Sequence, residues 1–307
     1  EEAETVKASL SLDGTVVITD DGWGIAEQLC TRLEARGLST VRVGFEAGIR
    51  DVSIQTEQGR AVHRGDPGNA EHIESITTSL STMNVVGLIH LAPMKLASAA
   101  WSEDTLPSAQ VSLAAHGWFG LLKGMDAHLG GLNQGLIASV TAMDGRHGNI
   151  GERFNAIQCA ASGVTKSYAF ERQNLRTRAL DVHPELIFDA ATAAEHIEVE
   201  LFEHAGEVEI GLDRDGRRWL LVAFAEDVVG ELEPLQSDDV WLVSGGGSGV
   251  TAACMVGVAE ASKDADATFH LLGRSVLIEQ TSEWLDWSEE DLMKEKMALR
   301  ERLTEAS

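Results

Sequence analysis

The segment Val240-Trp-Leu-Val-Ser-Gly-Gly-Gly-Ser-Gly-Val-Thr251 decides the fold, because it joins a short apolar run to a glycine-rich turn. The run predicts a strand, and a helix is predicted from Ala252 to about residue 261. A second apolar run, Thr268-Phe-His-Leu-Leu272, predicts another strand. Strand, glycine turn, helix and strand form a βαβ unit, whose crossover requires parallel strands.

A glycine turn at this point predicts a site for the pyrophosphate of a dinucleotide. Glycine lets the backbone approach the phosphates, and the helix N-terminus offers free N–H groups. The candidate cofactor-binding residues are Ser244, Gly245, Gly246, Gly247, Ser248, Gly249 and Val250. The alternative is a structural turn that is merely rich in glycine.

The residues after the next strand favour NADPH over NADH. An NAD site usually has an acidic residue there for the ribose 2′-hydroxyl, whereas this chain has Gly273-Arg-Ser275. Arg274 is suited to a 2′-phosphate, and Ser275 can add a hydroxyl. The alternative for Arg274 is a solvated cation at the end of a strand.

An earlier part of the chain has the same pattern. Thr15-Val-Val-Ile-Thr19 predicts a strand, Asp20-Asp-Gly-Trp-Gly24 a turn, and Ile25, Leu29 and Leu33 lie on one face of a helix. Gly37 is expected to end that helix before a strand at Ser39-Thr-Val-Arg-Val-Gly44. Here, two carboxylates stand where a pyrophosphate would lie.

The middle of the chain alternates between predicted strands and helices. Strands are predicted at Val85–Ala92, Leu136–Val140 and Thr177–Val182, and helices at 107–130, 153–172 and 192–204, whereas 46–80 is polar and weakly patterned. The alternation predicts an α/β fold with a doubly wound parallel, Rossmann-like sheet. The first βαβ unit of a second Rossmann copy follows it.

The pattern changes near residue 206. Glu207–Gly211 and Arg218–Val222 flank the turn Asp213-Arg-Asp-Gly216 and predict a hairpin. A calcium loop at this turn is disfavoured, because its further ligands are absent. Ser288 and Asp291 predict the N-terminal cap of a late helix. The predicted organisation is a tail (1–11), a pseudo-Rossmann subdomain (12–205), a hairpin and linker (206–239), the start of an NADP-binding subdomain (240–280) and a helical extension (281–307).

The first copy lacks reductase chemistry. Short-chain dehydrogenases use a Ser or Thr to hold a carbonyl, a Tyr to protonate it and a Lys four residues after the Tyr. Aligned on residues 136–171, that pattern puts Thr141 at the Ser position, Phe154 at the Tyr position and Gln158 at the Lys position. Phe154 has no hydroxyl and Gln158 no charge, so no catalytic residue is predicted in this half.

This arrangement of a degenerate copy before an intact one resembles the ketoreductase module of type I polyketide and fatty-acid synthases. The resemblance covers about residues 12–280. Arg178–Leu186, Val243–Cys254 and Leu271–Ser275 look closest to the polyunsaturated fatty-acid synthase branch, although Thr251 replaces the last glycine of the motif.

The resemblance implies NADPH-dependent reduction of a β-ketoacyl group on an acyl carrier protein to the β-hydroxyacyl product. The expected partners are the carrier protein and the rest of a synthase chain. A complete catalytic half would continue well past Ser275 with its own Ser, Tyr and Lys. We therefore expect an inactive fragment, either truncated or one piece of a longer multidomain chain, and a split protein completed by a second chain is disfavoured. The alternatives are a noncatalytic scaffold or carrier-protein docking module and, disfavoured by the degenerate positions, a stand-alone dehydrogenase.

Composition excludes several other classes. Lys and Arg number 24 against 49 Asp and Glu, and a net charge of −25 disfavours nucleic acids and anionic membranes. Three scattered cysteines and an N-terminus without a signal-peptide pattern indicate a cytoplasmic protein.

Three further groups are given structural interpretations. A metal site at His196 and His204 is disfavoured, because both lie on an acidic, solvated helix face. The spacing of Ser162, Lys166 and Tyr168 does not match the catalytic pattern. The loop residues Asp144, Arg146 and His147 lie where an intact reductase would place substrate, but Phe154 disfavours that role.

Overall fold

A nine-stranded sheet forms the centre of the first of two compact units, Glu1–Phe224, in this computed structural model. The second unit comprises Ala225–Ser307. The structure describes residues 2–3, 6–97, 108–150, 154–226, 236–247, 249–262, 265–273 and 287–305. In chain order, the strands of the first unit are β1 (Val6–Lys7), β2 (Thr15–Thr19), β3 (Ser39–Phe45), β4 (Ser53–Glu57), β5 (Arg60–Gly65), β6 (Val85–His90), β7 (Leu136–Thr141), β8 (Arg176–Val182), β9 (His204–Ala205), β10 (Glu209–Leu212) and β11 (Arg218–Trp219).

The sheet has the strand order of a doubly wound fold, β11-β10-β8-β7-β6-β2-β3-β5-β4. The strands from β10 to β5 are parallel, whereas β11 and β4 pair antiparallel at the two edges. The order reverses between β2 and β6, the position at which such folds bind nucleotides. The predicted α/β class and doubly wound parallel sheet are confirmed.

Helices cover both faces of this sheet. They are α1 (Ile25–Ala35), α2 (Ala70–Leu80), α3 (Ser108–Val111), α4 (Gly117–Gly130), α5 (Cys159–Glu171) and α6 (Ala190–Glu203), with a π-helical turn at Ser112–His116 and 3₁₀ turns at Ala92–Leu96, Ala156–Gln158 and Pro184–Phe188. One apolar core lies under α1 and α6, and the other lies under α2, α4 and α5. Every residue of β6 and β7 is buried, as expected of parallel strands covered on both sides.

The stretch 46–80, which the sequence left weakly patterned, is regular. It contains β4, β5 and α2. The edge strand β4 has no buried residue, so it carries no apolar alternation. Helix α2 is capped by Asn69, whose side chain accepts hydrogen bonds from the N–H groups of Glu71 and His72 at 3.0 and 3.4 Å.

Two predictions at the ends of the first unit need correction. The N-terminal segment is not simply a tail, because β1 pairs antiparallel with β9 and Leu10 is buried in the core. The predicted hairpin exists as β10 and β11, but β10 also pairs parallel with β8. The hairpin therefore extends the sheet of the first unit.

The second unit contains a parallel βαβ element. Strand β12 (Val240–Ser244) and strand β13 (Thr268–Leu272) pair in parallel and are connected through helix α7 (Gly249–Ala261). A separate helix, α8 (Glu289–Glu305), is capped by Ser288, whose hydroxyl accepts a hydrogen bond from the Asp291 N–H at 3.2 Å. The predicted cap of this helix is thereby confirmed.

Candidate nucleotide site and degenerate catalytic positions

The glycine turn of the second unit lies between the end of β12 and the start of α7. Gly245 and Gly249 adopt positive φ angles of 73° and 66°, which side chains other than glycine rarely tolerate. The Gly245 N–H donates to the Leu272 carbonyl at 2.8 Å and so joins the turn to the end of β13. A Cβ on Gly246 would stand 2.8 Å from Leu271 Cδ2. The turn therefore depends on its glycines.

This turn has the features that a diphosphate requires. In the described part of the chain, nothing lies within 4 Å of a Cβ built on Gly245, Gly247 or Gly249. The first N–H groups of α7 have no partner within the helix and point towards its N-terminal end. Of the other candidate residues, Val250 is 81% exposed, whereas Ser248, Arg274 and Ser275 lie outside the described residues.

The corresponding turn of the first unit is filled by its own side chains. The Asp21 carboxylate accepts hydrogen bonds from the N–H groups of Trp23, Ile25 and Ala26. Asp20 receives a hydrogen bond from Arg42 Nε at 2.6 Å. These two carboxylates occupy the end of the turn at which a pyrophosphate would lie.

Thr141, at the end of β7, is bound to a buried acid. Its hydroxyl donates to Asp181 Oδ1 at 2.7 Å. Asp181 also accepts from the N–H groups of Met143, Asp144 and His147, at 2.9, 3.3 and 3.0 Å. Burial raises the pKa of Asp181. The Thr141 hydroxyl is thus engaged with the protein itself.

A second buried acid, Asp144, hydrogen-bonds the backbone of the loop after β7. Its carboxylate accepts from the N–H groups of Arg146 and Gly148, both at 2.8 Å, and of Ile150 at 3.0 Å. The loop packs tightly on the sheet, because a Cβ on Gly145 would clash with the Leu212 carbonyl. Asp144, Arg146 and His147 therefore shape and fix this loop.

The other two degenerate positions also have structural roles. The Gln158 side chain is fully buried and binds the backbone of Ala142 through its amide oxygen, at 2.9 Å, and its amide nitrogen, at 3.3 Å. Phe154 packs against Gly148, where an added Cβ would stand 2.5 Å from the ring. Gln158 thus holds the backbone of Ala142, the residue after Thr141, by two hydrogen bonds.

The residues set aside by spacing have separate partners. Lys166 Nζ pairs with Glu209 Oε1 at 2.6 Å, and the Tyr168 hydroxyl donates to Asp126 at 3.0 Å. Burial and the neighbouring carboxylate raise the pKa of Tyr168. Both side chains are therefore engaged with carboxylates of the same unit, and with different ones.

A buried ion cluster, which the sequence did not reveal, ties the hairpin to α6. Glu200 lies 2.7 Å from Arg218 Nε, 2.9 Å from His204 Nδ1 and 3.5 Å from Arg178 Nε. The Glu200 side chain is 1% exposed. The sequence predicts an acidic, solvated face for this helix, which is wrong at Glu200 because its side chain is buried. Asp181 could have been suspected as an acid within the buried strand β8.

Searches against known proteins return similarity at the level of structure. No protein-family profile matches the chain, and no curated protein sequence matches it. One similar structure is a multidomain fragment of a keto acid-selecting NRPS module with adenylation, ketoreductase and pseudo Asub domains. It is 18% identical, with a TM-score of 0.64 over 100% of this chain and 24% of that one.

The second similar structure is an N-terminal ketoreductase from the macrolactin assembly line. It is 17% identical, with a TM-score of 0.61 over 91% of this chain and 53% of that one. The chain spans less than two thirds of either protein. At these identities the similarity shows the fold alone, which is Rossmann-like α/β.

No helix in the described ranges is both long and apolar enough to span a membrane.

Proposed function

We propose that the chain is part of a ketoreductase domain of a type I polyketide or fatty-acid synthase. The first unit is its structural half, and the second unit begins its NADPH-binding half. The observation that carries this proposal is the contrast between the two turns. The turn of the second unit is open and built from glycine, whereas carboxylates fill that of the first.

The residues of the second unit fit the phosphate end of NADPH. The turn Gly245–Gly247 and the start of α7 would hold the pyrophosphate through backbone N–H groups. Arg274 and Ser275 would hold the 2′-phosphate, as the sequence predicts. When bound, NADPH supplies a hydride for a carbonyl carbon. A β-ketoacyl thioester on an acyl carrier protein is the proposed substrate.

The first unit contributes no proton to such a reaction. The Thr141 hydroxyl is bound to buried Asp181, Phe154 carries no acid, and Gln158 holds the backbone. We therefore expect this chain alone to be inactive. The same observations favour the second candidate, a noncatalytic scaffold or carrier-protein docking module with a relic nucleotide site.

Cofactor titrations test the assignment of the nucleotide. The chain and its Arg274→Ala variant would be titrated with NADPH and with NADH by calorimetry. Loss of a hydrogen bond to a charged group amounts to about 1.5–3 kcal/mol, so NADPH affinity should fall at least roughly tenfold while NADH affinity is unchanged. Arg302→Ala, on exposed α8, is the matched control. Equal NADPH affinity in the chain and in the Arg274 variant would refute the assignment.

Turnover separates the two candidate functions. The chain alone should not oxidise NADPH in the presence of a β-ketoacyl thioester. A longer synthase protein that contains the chain should do so, and Arg274→Ala in that protein should slow the reaction. Binding without turnover in the longer protein would instead identify a scaffold.

A further inference from the structure

Strand β4 forms one edge of the nine-stranded sheet, and among the described strands only β5 pairs with it. Its five residues pair with β5 in unbroken antiparallel register. The sequence Ser53-Ile-Gln-Thr-Glu57 contains no lysine or proline, and Ile54 is 58% exposed. Natural sheets commonly protect an edge with lysine, proline or a bulge. The outer side of β4 has none of these devices and is therefore available for pairing with another strand.

The register of this hairpin fixes which backbone groups of β4 face outwards. The turn 58–59 has two residues, both with positive φ (49° and 81°), and Glu57 and Arg60 close it. The closing pair of such a hairpin exchanges both of its hydrogen bonds, and bonded and non-bonded pairs then alternate along the strands. The odd-numbered residues of β4 therefore bond to β5, whereas the N–H and C=O groups of Ile54 and Thr56 point away from it.

The opposite edge of the same sheet, at β11, is covered by an extended part of the chain. Glu2 forms an antiparallel bridge with Trp219, and the Ala3 N–H donates to the Arg218 carbonyl at 2.8 Å. One edge of this sheet thus already binds an extended segment through its backbone. Within the described residues, the β4 edge has no such cover.

The size of the edge and the charge of the chain indicate a short basic peptide as the occupant. A strand of five residues is about 17 Å long, so pairing along it gives a much smaller contact than the roughly 800 Å² per partner of a stable dimer. Two copies of the chain would also bring together molecules that each carry a net charge of −25. The same charge attracts a cationic segment.

We propose that the outer edge of β4 is a docking site for an extended, basic peptide segment of another protein. The segment adds a tenth strand to the sheet and bonds to the outward N–H and C=O groups of Ile54 and Thr56. An apolar side chain of the segment covers Ile54, and its lysines face the acidic protein. This inference holds whether or not the second unit binds NADPH.

Amide hydrogen exchange, followed by NMR on the full chain, tests the docking site. The probe is the synthetic peptide Lys-Val-Lys-Val-Lys-Val-Lys, acetylated and amidated, and Glu-Val-Glu-Val-Glu-Val-Glu is its matched control. The Ile54 and Thr56 amides should exchange rapidly in the chain alone and become protected at least roughly tenfold at saturating basic peptide. The Gln55 amide, which bonds to β5, should be protected in both samples. The acidic peptide should protect neither outward amide.

Variants of the edge test the same geometry through affinity, which fluorescence anisotropy of the labelled basic peptide measures. Thr56→Pro removes an outward N–H and keeps the bonds to β5, so it should weaken binding by about two- to tenfold, the contribution of one hydrogen bond. Ile54→Lys places a charge on the edge, should also weaken binding, and serves if the proline variant does not fold. Gln55→Ala keeps every outward backbone group and should bind like the parent.

Four results would overturn the proposal. The first is a basic peptide that leaves the Ile54 and Thr56 amides unprotected, and the second is equal protection by the acidic peptide. The third is equal affinity of the parent and a folded edge variant. The fourth is protection of the two amides that rises with the concentration of the chain alone, because it would identify a second copy as the occupant.

Discussion

Replacing Asp181 with alanine should destabilise the first unit strongly. The carboxylate accepts one hydroxyl and three N–H groups, all from β7 and the loop after it, and the residue is fully buried. Each buried donor left without a partner raises the free energy of the folded state by about 1–3 kcal/mol. Counting only the three bonds of 3.0 Å or less, the loss is at least about 3 kcal/mol.

Urea unfolding followed by far-UV circular dichroism measures this loss. The exposed residue Asp51 offers a matched control, and Asp51→Ala should stay within about 0.5 kcal/mol of the parent. For a unit of this size, the Asp181→Ala loss corresponds to a fall in Tm of roughly 6–12 °C. A change within about 1 kcal/mol of the parent would refute the assignment of Asp181 as the anchor of the loop.

Three further substitutions probe the ion cluster, the glycine turn and one exposed ion pair. Glu200→Gln removes the buried negative charge beside Arg218, His204 and Arg178 and should lower the free energy of unfolding by about 3–5 kcal/mol in urea titrations. Glu203→Gln, at a more exposed site, should show a far smaller effect. Gly245→Ala places a side chain at φ 73°, so it should destabilise the second unit by about 1–2 kcal/mol and weaken NADPH binding. Gly247→Ala, at a residue with an ordinary φ, should lower the stability of this unit less. Hydrogen exchange measures both changes in stability. Hydrogen bonds from an arginine lower the pKa of Glu34, so its stabilisation is present above about pH 4.3 and is lost as pH falls through the lowered pKa. Glu34→Gln should therefore reduce the acid-induced loss of stability by about 0.2–1 kcal/mol, and identical acid titration curves would contradict this reasoning.

The sequence predicts the elements whose residues are uniformly apolar. Strands β6 and β7 are buried at every residue, so short apolar runs were sufficient signals. Strand β4 lies at an edge and has no buried residue, so its sequence lacks the alternation of apolar and polar residues that would indicate a strand. Strand β1 has only two residues, both exposed, and depends on pairing with β9.

The candidate site residues could be predicted only in part, because only some of their roles leave a local pattern in the sequence. The glycine turns were recognisable because a close backbone approach limits the residue type. The hydrogen bonds of Asp181 and Asp144 join residues within one folded loop and two strands, and no local pattern shows such contacts. The alignment predicts that Thr141, Phe154 and Gln158 do not form a catalytic set, and the structure adds the contacts that each makes within the fold.

Hydrogen exchange of the full chain with and without saturating NADPH tests the central claim that only the second turn holds the nucleotide. Peptides covering 244–252 should become protected when NADPH is added, and peptides covering 19–27 should exchange at the same rate in both samples. Protection confined to 19–27, or no protection at 244–252, would contradict the account.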